Sequence, residues 1–212
     1  MKFGVGQSVL RKEDDSLIRG GGQYVSDHAP AGLLHGLVVR SPHAHARFKI
    51  NGAGKARAIP GVRLVLVAKD IADLGFMPCT VGVPGQKMVV PPYPVLASDT
   101  VRHVGDAVAF IAADTLDQAR DAAELINIEY EPLKAVINIE DAAKEGSPKV
   151  HDDNNMGNTA FRLMFGSQEA TDAAFAKAKH VVKLRVENNR LSPVSMEPRL
   201  SLIHISEPTR PY

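Results

Sequence analysis

The residues best suited to chemistry in this chain are few and scattered. His43 and His45 lie two apart in RSPHAHAR (Arg40–Arg47), and His35 sits on the apolar run just before them. Two residues apart on an extended chain, the histidine pair shares one face, a geometry that suits zinc. Zinc needs a third and a fourth ligand, and no cysteine or acid stands at ligand spacing. The histidines therefore read as members of a turn that hydrogen-bonds backbone. Gly20–Gly21–Gly22 would cradle phosphate only between a strand and a helix. Tyr24–Val25–Ser26–Asp27 follows instead, so the glycines read as a turn. Cys79 is the single cysteine. Pro78 and Thr80 flank it, with no neighbouring His or Lys to activate it, so it reads as an incidental thiol. Asp152–Asp153 lacks the glycine and glutamate of a calcium loop and reads as a solvated turn. No catalytic, cofactor-binding or metal-binding residue is assigned within the chain.

Composition bounds the alternatives. The 212 residues suffice for one large or two modest domains, and 44% hydrophobic with 23% charged residues is typical of a soluble globular chain. A net charge of +1 supplies no field for nucleic acid or an anionic membrane. One cysteine rules out an intrachain disulfide or an all-cysteine cluster, which fits a reducing compartment. The N-terminal MKFGVGQSVLRKEDDSLIRG has no signal-peptide core, and no apolar run approaches the ~20 residues of a membrane span. A cytoplasmic protein is expected.

The elements that would position these residues are clearest at Val101–Pro132. Val108, Phe110 and Ile111 belong to a short, nearly uncharged run that suits a strand covered on both faces. Thr115 and Gln118 stand at capping-box spacing, and Leu116, Ala119, Ala123 and Ile126 form a helical stripe. Asn127–Glu131 reads as a second strand, so the stretch predicts a β–α–β unit. Leu33–Ser41 and Arg63–Ala68 read as strands, Asn51–Ile59 as a short helix, and Asp70–Gly75 as a capped turn. Between Leu74 and Val95 stand five prolines and three glycines, which preclude a regular element. A loop of that length is often functional or draped over another subunit. Later, Ala160–Phe165 reads as a strand and Ser167 as a helix cap. His180–Glu187 alternates Val182, Leu184 and Val186 with Lys183, Arg185 and Glu187, the pattern of a half-buried strand. These last elements cannot form a core by themselves.

Five segments together resemble one family. They are GQSVLRKEDDSLIRGGGQYVSD (Gly6–Asp27), LLHGLVVRSPHAHARF (Leu33–Phe48), PGVRLVLVAKD (Pro60–Asp70), PVLASDTVRHVGDAVAFIAADTLDQARDAAELINIEYEPL (Pro94–Leu133) and HVVKLRVENNRLSPVSMEPR (His180–Arg199). In order and spacing they are similar to the molybdenum-cofactor-binding large subunit of the xanthine dehydrogenase, aldehyde oxidase and carbon monoxide dehydrogenase group. Arg40–Arg47 and Val104–Gly105–Asp106 are the strongest single marks. The resemblance implies an α+β fold: an α/β-hammerhead domain over residues 1–132, a linker over 133–158, and the incomplete start of the molybdenum-cofactor-binding domain over 159–199.

The resemblance also implies a function. The intact subunit would be an oxidoreductase that oxidises substrate with oxygen from water. It would carry a molybdenum–molybdopterin cofactor, expected in its cytosine dinucleotide form, and pass electrons to iron–sulfur clusters and then flavin. Its partners would be flavin-binding and iron–sulfur subunits, a second copy of the large subunit, and a small-molecule substrate, with no nucleic acid and no membrane span. The family's GGGFG-like stretch and late glutamate base lie downstream of Met196–Arg199, so Glu197 is not that base. This fragment is expected to be inactive and to bind no cofactor alone. The alternative is a stand-alone structural or assembly module without catalysis.

After Arg199 the family continues with small and apolar residues, whereas this chain reads LSLIHISEPTRPY. That sequence resembles translated adapter or vector read-through. Residues 200–212 are expected to be a non-native tail, with the native frame leaving this sequence near Leu200. Sequencing an independent clone across codon 200 is expected to show a different continuation. The same tail in intact genomic DNA, followed by a true stop, would refute this.

Overall fold

The computed structural model describes residues 6, 10–82, 85, 88–152, 157–189, 191 and 203. The chain divides into two units, residues 34–180 and residues 1–33 with 181–212.

In the smaller unit, helix α1 (Asp14–Ile18) is followed by a 3₁₀ turn at Val25–Asp27. The glycine run stops α1. Gly20 has φ of 73°, and the N–H groups of Gly20 and Gly21 donate to the carbonyls of Leu17 and Ser16 at 3.2 and 2.8 Å. This is a Schellman end, which needs a residue at positive φ and satisfies two orphan carbonyls.

The larger unit begins with β1 (His35–Arg40), β2 (Ala46–Asn51), α2 (Ala53–Arg57) and β3 (Val62–Val67). A 3₁₀ segment, Ala68–Leu74, leads through the proline-rich loop to β4 (Thr100–Val101). Then come β5 (Ala107–Ala113), α3 (Leu116–Leu125) and β6 (Asn127–Pro132). Helices α4 (Ile139–Ala142) and α5 (Gln168–Lys177) follow. The strands form two antiparallel sheets, ordered β1–β5–β3 and β4–β2–β6. Wholly antiparallel sheets with α2 and α3 packed against the first of them make this an α+β fold.

Strand β5 organises the core. Ala109, Ile111 and Ala113 pack with Val65, Val67, Ala56, Ala119, Ala122 and Ile126 in one buried cluster. Val108 packs with Ala46, Phe48, Ala97 and Val101 in a second. The strand is thus covered on both faces, as its uncharged run predicts. Alanines at the helix contacts leave no side-chain bulk between helix and sheet, so α3 lies close to the strands. The capping box forms as its spacing predicts. Gln118 N–H donates to Thr115 Oγ1 at 3.2 Å, and Thr115 N–H donates to Gln118 Oε1 at 3.0 Å. The buried stripe differs slightly from the predicted one. Ala122 is buried with Ala119 and Ile126, whereas Leu116 is exposed.

Three predicted elements are corrected. First, β5–α3–β6 is not a β–α–β unit within one sheet. Both neighbours of β5 are already β1 and β3, so β6 crosses to the other sheet and pairs with β2 over Ala46–Asn51. Second, Ala160–Phe165 forms no strand. It contributes one backbone contact, from Val89 N–H to Ala160 C=O at 2.9 Å. Third, His180–Glu187 forms no strand, since it pairs in no ladder among the described residues. Strand β2 was not anticipated, although Ala46, Phe48 and Ile50 alternate with Arg47, Lys49 and Asn51 at the period of a strand. The predicted helix after Ser167 forms, with Ala170 N–H donating to Ser167 Oγ at 3.2 Å.

Gly52 joins β2 to α2 at φ of 86°, and an added Cβ would stand 2.6 Å from the Leu125 carbonyl oxygen. The Gly52→Ala variant is therefore expected to lose more than about 1 kcal/mol of stability. Urea unfolding checks this; an unchanged midpoint would contradict the close approach of α3's C-terminus to this turn.

Candidate functional site: the junction of the two sheets

The two strongest sequence marks, Arg40–Arg47 and Val104–Asp106, meet. Ser41 N–H donates to the Asp106 carbonyl and Gly105 N–H to the Ser41 carbonyl, both at 2.8 Å. Arg40 Nη1 adds a bond to the Gly105 carbonyl at 2.8 Å. Ser41 is 2% exposed, and its Oγ accepts from His43 N–H at 3.0 Å, which turns the chain from β1 toward β2. Asp106 holds its own loop, its carboxylate accepting from Arg102 N–H at 3.0 Å. These are backbone-satisfying contacts that let a buried loop crossing exist.

The histidines serve the same junction. His45 Nδ1 lies 3.1 Å from the Lys134 carbonyl, and Leu133 N–H donates to the His45 carbonyl at 2.9 Å. The His43 ring packs on Tyr130, with centroids 4.6 Å apart. His35 begins β1, five residues before Arg40 and roughly 17 Å away at strand rise. It therefore cannot share a ligand set with the pair. Among the described residues no three His, Cys, Asp or Glu side chains are grouped to hold a metal. Cys79 is exposed, with Sγ 3.5 Å from the Val81 carbonyl. Asp153 and Glu197 lie outside the described residues.

Two residues that sequence reasoning missed clamp the connector after β6. Asn158 Nδ2 donates to the Ala142 and Pro148 carbonyls at 3.1 and 2.9 Å, while its Oδ1 accepts from Val150 N–H at 2.8 Å. Arg102 Nε donates to the Val150 carbonyl at 3.1 Å and Nη1 to the Thr100 carbonyl at 3.3 Å. A polar asparagine after Gly157, at the end of a breaker-rich stretch, was the available signal.

The junction's least satisfied atom is the Tyr130 hydroxyl, which is buried with no partner at hydrogen-bond geometry among the described residues. Burial pushes this phenol's pKa upward, and the nearby Ser41 hydroxyl only partly offsets it. Ser41 Oγ is already engaged with the His43 backbone.

A groove along β2 and β6 is lined by Arg47, Lys49, Asp99, Glu129, Glu131, Phe48 and Tyr130. Arg47 stands opposite Glu131 and Lys49 opposite Glu129 in the ladder, so its charges face one another. Three carboxylates against two cations make it a poor seat for a phosphate-bearing cofactor such as a molybdopterin dinucleotide.

The family model described as "Aldehyde oxidase and xanthine dehydrogenase, a/b hammerhead domain" matches residues 19–134. The chain belongs to this family. It is 36% identical over 207 residues to the 6-hydroxypseudooxynicotine dehydrogenase complex subunit gamma of Paenarthrobacter nicotinovorans, covering 94% of this chain and 25% of that protein. It is 35% identical over 207 residues to the carbon monoxide dehydrogenase large chain of Afipia carboxidovorans, covering 92% and 25%. A solved structure of the Cu,Mo-CO dehydrogenase in its carbon monoxide reduced state superposes with a TM-score of 0.68 at 35% identity, covering 82% of this chain and 23% of that one. The hammerhead family member described here thus spans about a quarter of the length of the curated relatives it matches.

In a Tyr130→Phe variant the ring contacts remain and the unpartnered hydroxyl goes, so stability at neutral pH is expected to hold or rise by about 1 kcal/mol. The sign with pH follows from the raised pKa. The contribution of a neutral Tyr130 is complete below the unfolded value near pH ~10 and is lost as pH rises through the higher folded value. The variant should lack that alkaline loss. Thermal melts from neutral to alkaline pH test this; lower stability of the variant at neutral pH would show that the hydroxyl has a partner.

Proposed function

We propose that this chain is the N-terminal part of the large subunit of a molybdenum hydroxylase, an oxidoreductase that works beside flavin-binding and iron–sulfur subunits in the cytoplasm. The observation that carries the reading is the hammerhead match over residues 19–134 within relatives that are themselves large chains of oxidoreductases. In this reading residues 1–132 are the hammerhead domain, 133–158 the linker and 159–199 the start of the cofactor domain. The molybdenum–molybdopterin group, in its cytosine dinucleotide form, would supply the redox chemistry. The described residues do not fit it: their groove is rich in carboxylate and their titratable side chains are spent on turns, ion pairs and backbone clamps. The cofactor and the catalytic base are accordingly assigned to the remaining length of the subunit. The hammerhead contributes position: β5 and the junction fix where the chain leaves β6, and Asn158 and Arg102 fix the connector beyond it.

The test is to express the 212-residue chain alone and the complete large subunit with its flavin and iron–sulfur partners. Metal analysis and dye reduction with carbon monoxide, aldehydes and aromatic heterocycles are the readouts. Molybdenum and turnover are expected only in the complete complex. Stoichiometric molybdenum in the short chain would overturn the division of labour. A complete frame with neither metal nor turnover would favour a structural or assembly role.

A further inference from the structure

Asn51 is the last residue of β2, and Gly52 carries the chain into α2. No other asparagine in the sequence is followed by glycine. An asparagine can close on its own backbone when the nitrogen of the next residue attacks its side-chain carbonyl carbon. Glycine leaves that nitrogen unhindered, since it carries no Cβ. A bulkier residue at 52 would slow the attack, but the fold reserves the position. Gly52 has φ of 86°, and an added Cβ would stand 2.6 Å from the Leu125 carbonyl oxygen. The turn therefore fixes a thermolabile pair at the exposed end of a strand. One contact opposes the reaction. Asn51 Nδ2 donates to Glu129 Oε1 on β6 at 2.9 Å. The backbone at Asn51 is also extended and stands opposite Asn127 in the ladder. To meet the Gly52 nitrogen, the side chain must leave a charged acceptor and the strand end must turn.

We propose that Asn51 is a site of spontaneous deamidation, that its bond to Glu129 restrains the rate in the folded chain, and that the product loosens the end of the β2–β6 ladder. The Gly52 nitrogen bonds to Asn51 Cγ, and the side-chain nitrogen leaves as ammonia with the proton of the Gly52 N–H. Water then opens the cyclic imide at one carbonyl or the other, giving aspartate or isoaspartate. No oxidant or reductant takes part. Aspartate puts a second carboxylate where an amide donated to Glu129, so an attraction becomes a repulsion. Lys49 stands opposite Glu129 in the ladder and offers one positive charge to two negative ones. Isoaspartate lengthens the backbone of β2 and carries its last residue out of register with Asn127. Either product acts where β2 turns toward α2 and where the end of α3 presses on Gly52.

The whole chain is incubated at mildly alkaline pH and digested, and the peptide holding Asn51 is followed by mass and by isoaspartyl methylation. Acid is expected at Asn51 ahead of every other asparagine. Glu129→Ala should raise the rate several-fold. Glu129→Gln keeps an oxygen acceptor and should stay much nearer the wild type. Both replace an exposed side chain and should keep the wild-type circular dichroism spectrum. Conversion should be fastest in urea, where neither restraint survives. Asn51→Asp reads the consequence. Its urea midpoint should fall below the wild type at neutral pH, and the deficit should shrink as pH falls through the carboxylate range, because protonation removes the repulsion. Acid appearing first at another asparagine, equal rates in the wild type and Glu129→Ala, an Asn51 that stays unmodified in both, or an Asn51→Asp chain as stable as the wild type at neutral pH would each overturn the proposal. None of these outcomes bears on the family assignment, which rests on residues 19–134.

Discussion

The larger unit depends on one constraint: β5 has neither a free edge nor a free face. β1 and β3 occupy its edges, the helices cover Ala109, Ile111 and Ala113, and the second sheet covers Val108. A strand in that position cannot carry charge, since an unpaired ion there would lose its hydration with nothing to replace it. It also forces the topology around it. Because no edge of β5 is open, the chain leaving α3 must go elsewhere, and β6 finds β2. The two sheets are therefore joined by chain crossings, and each crossing exposes backbone groups that a ladder would have paired.

The junction is the answer to that backbone problem. Ser41, Asp106, Arg40 and His45 each satisfy a main-chain group where the chain changes sheets. Each such bond contributes about 1 kcal/mol net, but leaving its partner bare in a buried turn costs about as much or more. Polar residues in RSPHAHAR and VGD thus have a sufficient structural reason to be there. Tyr130 shows the limit of the arrangement: its ring fills the space beside His43 and Phe48, and its hydroxyl is left over.

What was legible in the sequence follows from how local each feature is. The capping box of α3, the apolar run of β5 and the cap of α5 are set within a few residues, and all three formed. The sheet to which a strand belongs is not local. Asn127–Glu131 was readable as a strand, but its pairing with β2 rather than β5 depends on edges filled by residues far away in sequence. Strand β2 is carried by the alternation of Ala46, Phe48 and Ile50, a short signal that the adjoining histidine-rich turn masks. At the site, His45 meets a backbone carbonyl as its turn reading expects and His43 packs its ring on Tyr130, whereas the Asn158 clamp joins three carbonyl or amide groups that no motif brings together. At His180–Glu187 the alternation is legible, yet the segment joins no ladder among the described residues, because a strand is a relation between two segments and alternation reports on only one.

This separates two kinds of information in the chain. The marks that place it in its family are solutions to a packing and hydrogen-bonding problem common to any chain with this crossing, whatever reaction the assembly performs. They are strong for fold because the constraint on β5 admits few alternatives. They carry little information on substrate for the same reason: a side chain oriented by a backbone group in a turn is placed for the turn and not for a ligand. The relatives fit this reading, since the same quarter-length region recurs in a 6-hydroxypseudooxynicotine dehydrogenase subunit and a carbon monoxide dehydrogenase chain at nearly equal identity. Near-equal identity to two relatives named for such different substrates is what a region whose residues answer to packing would show.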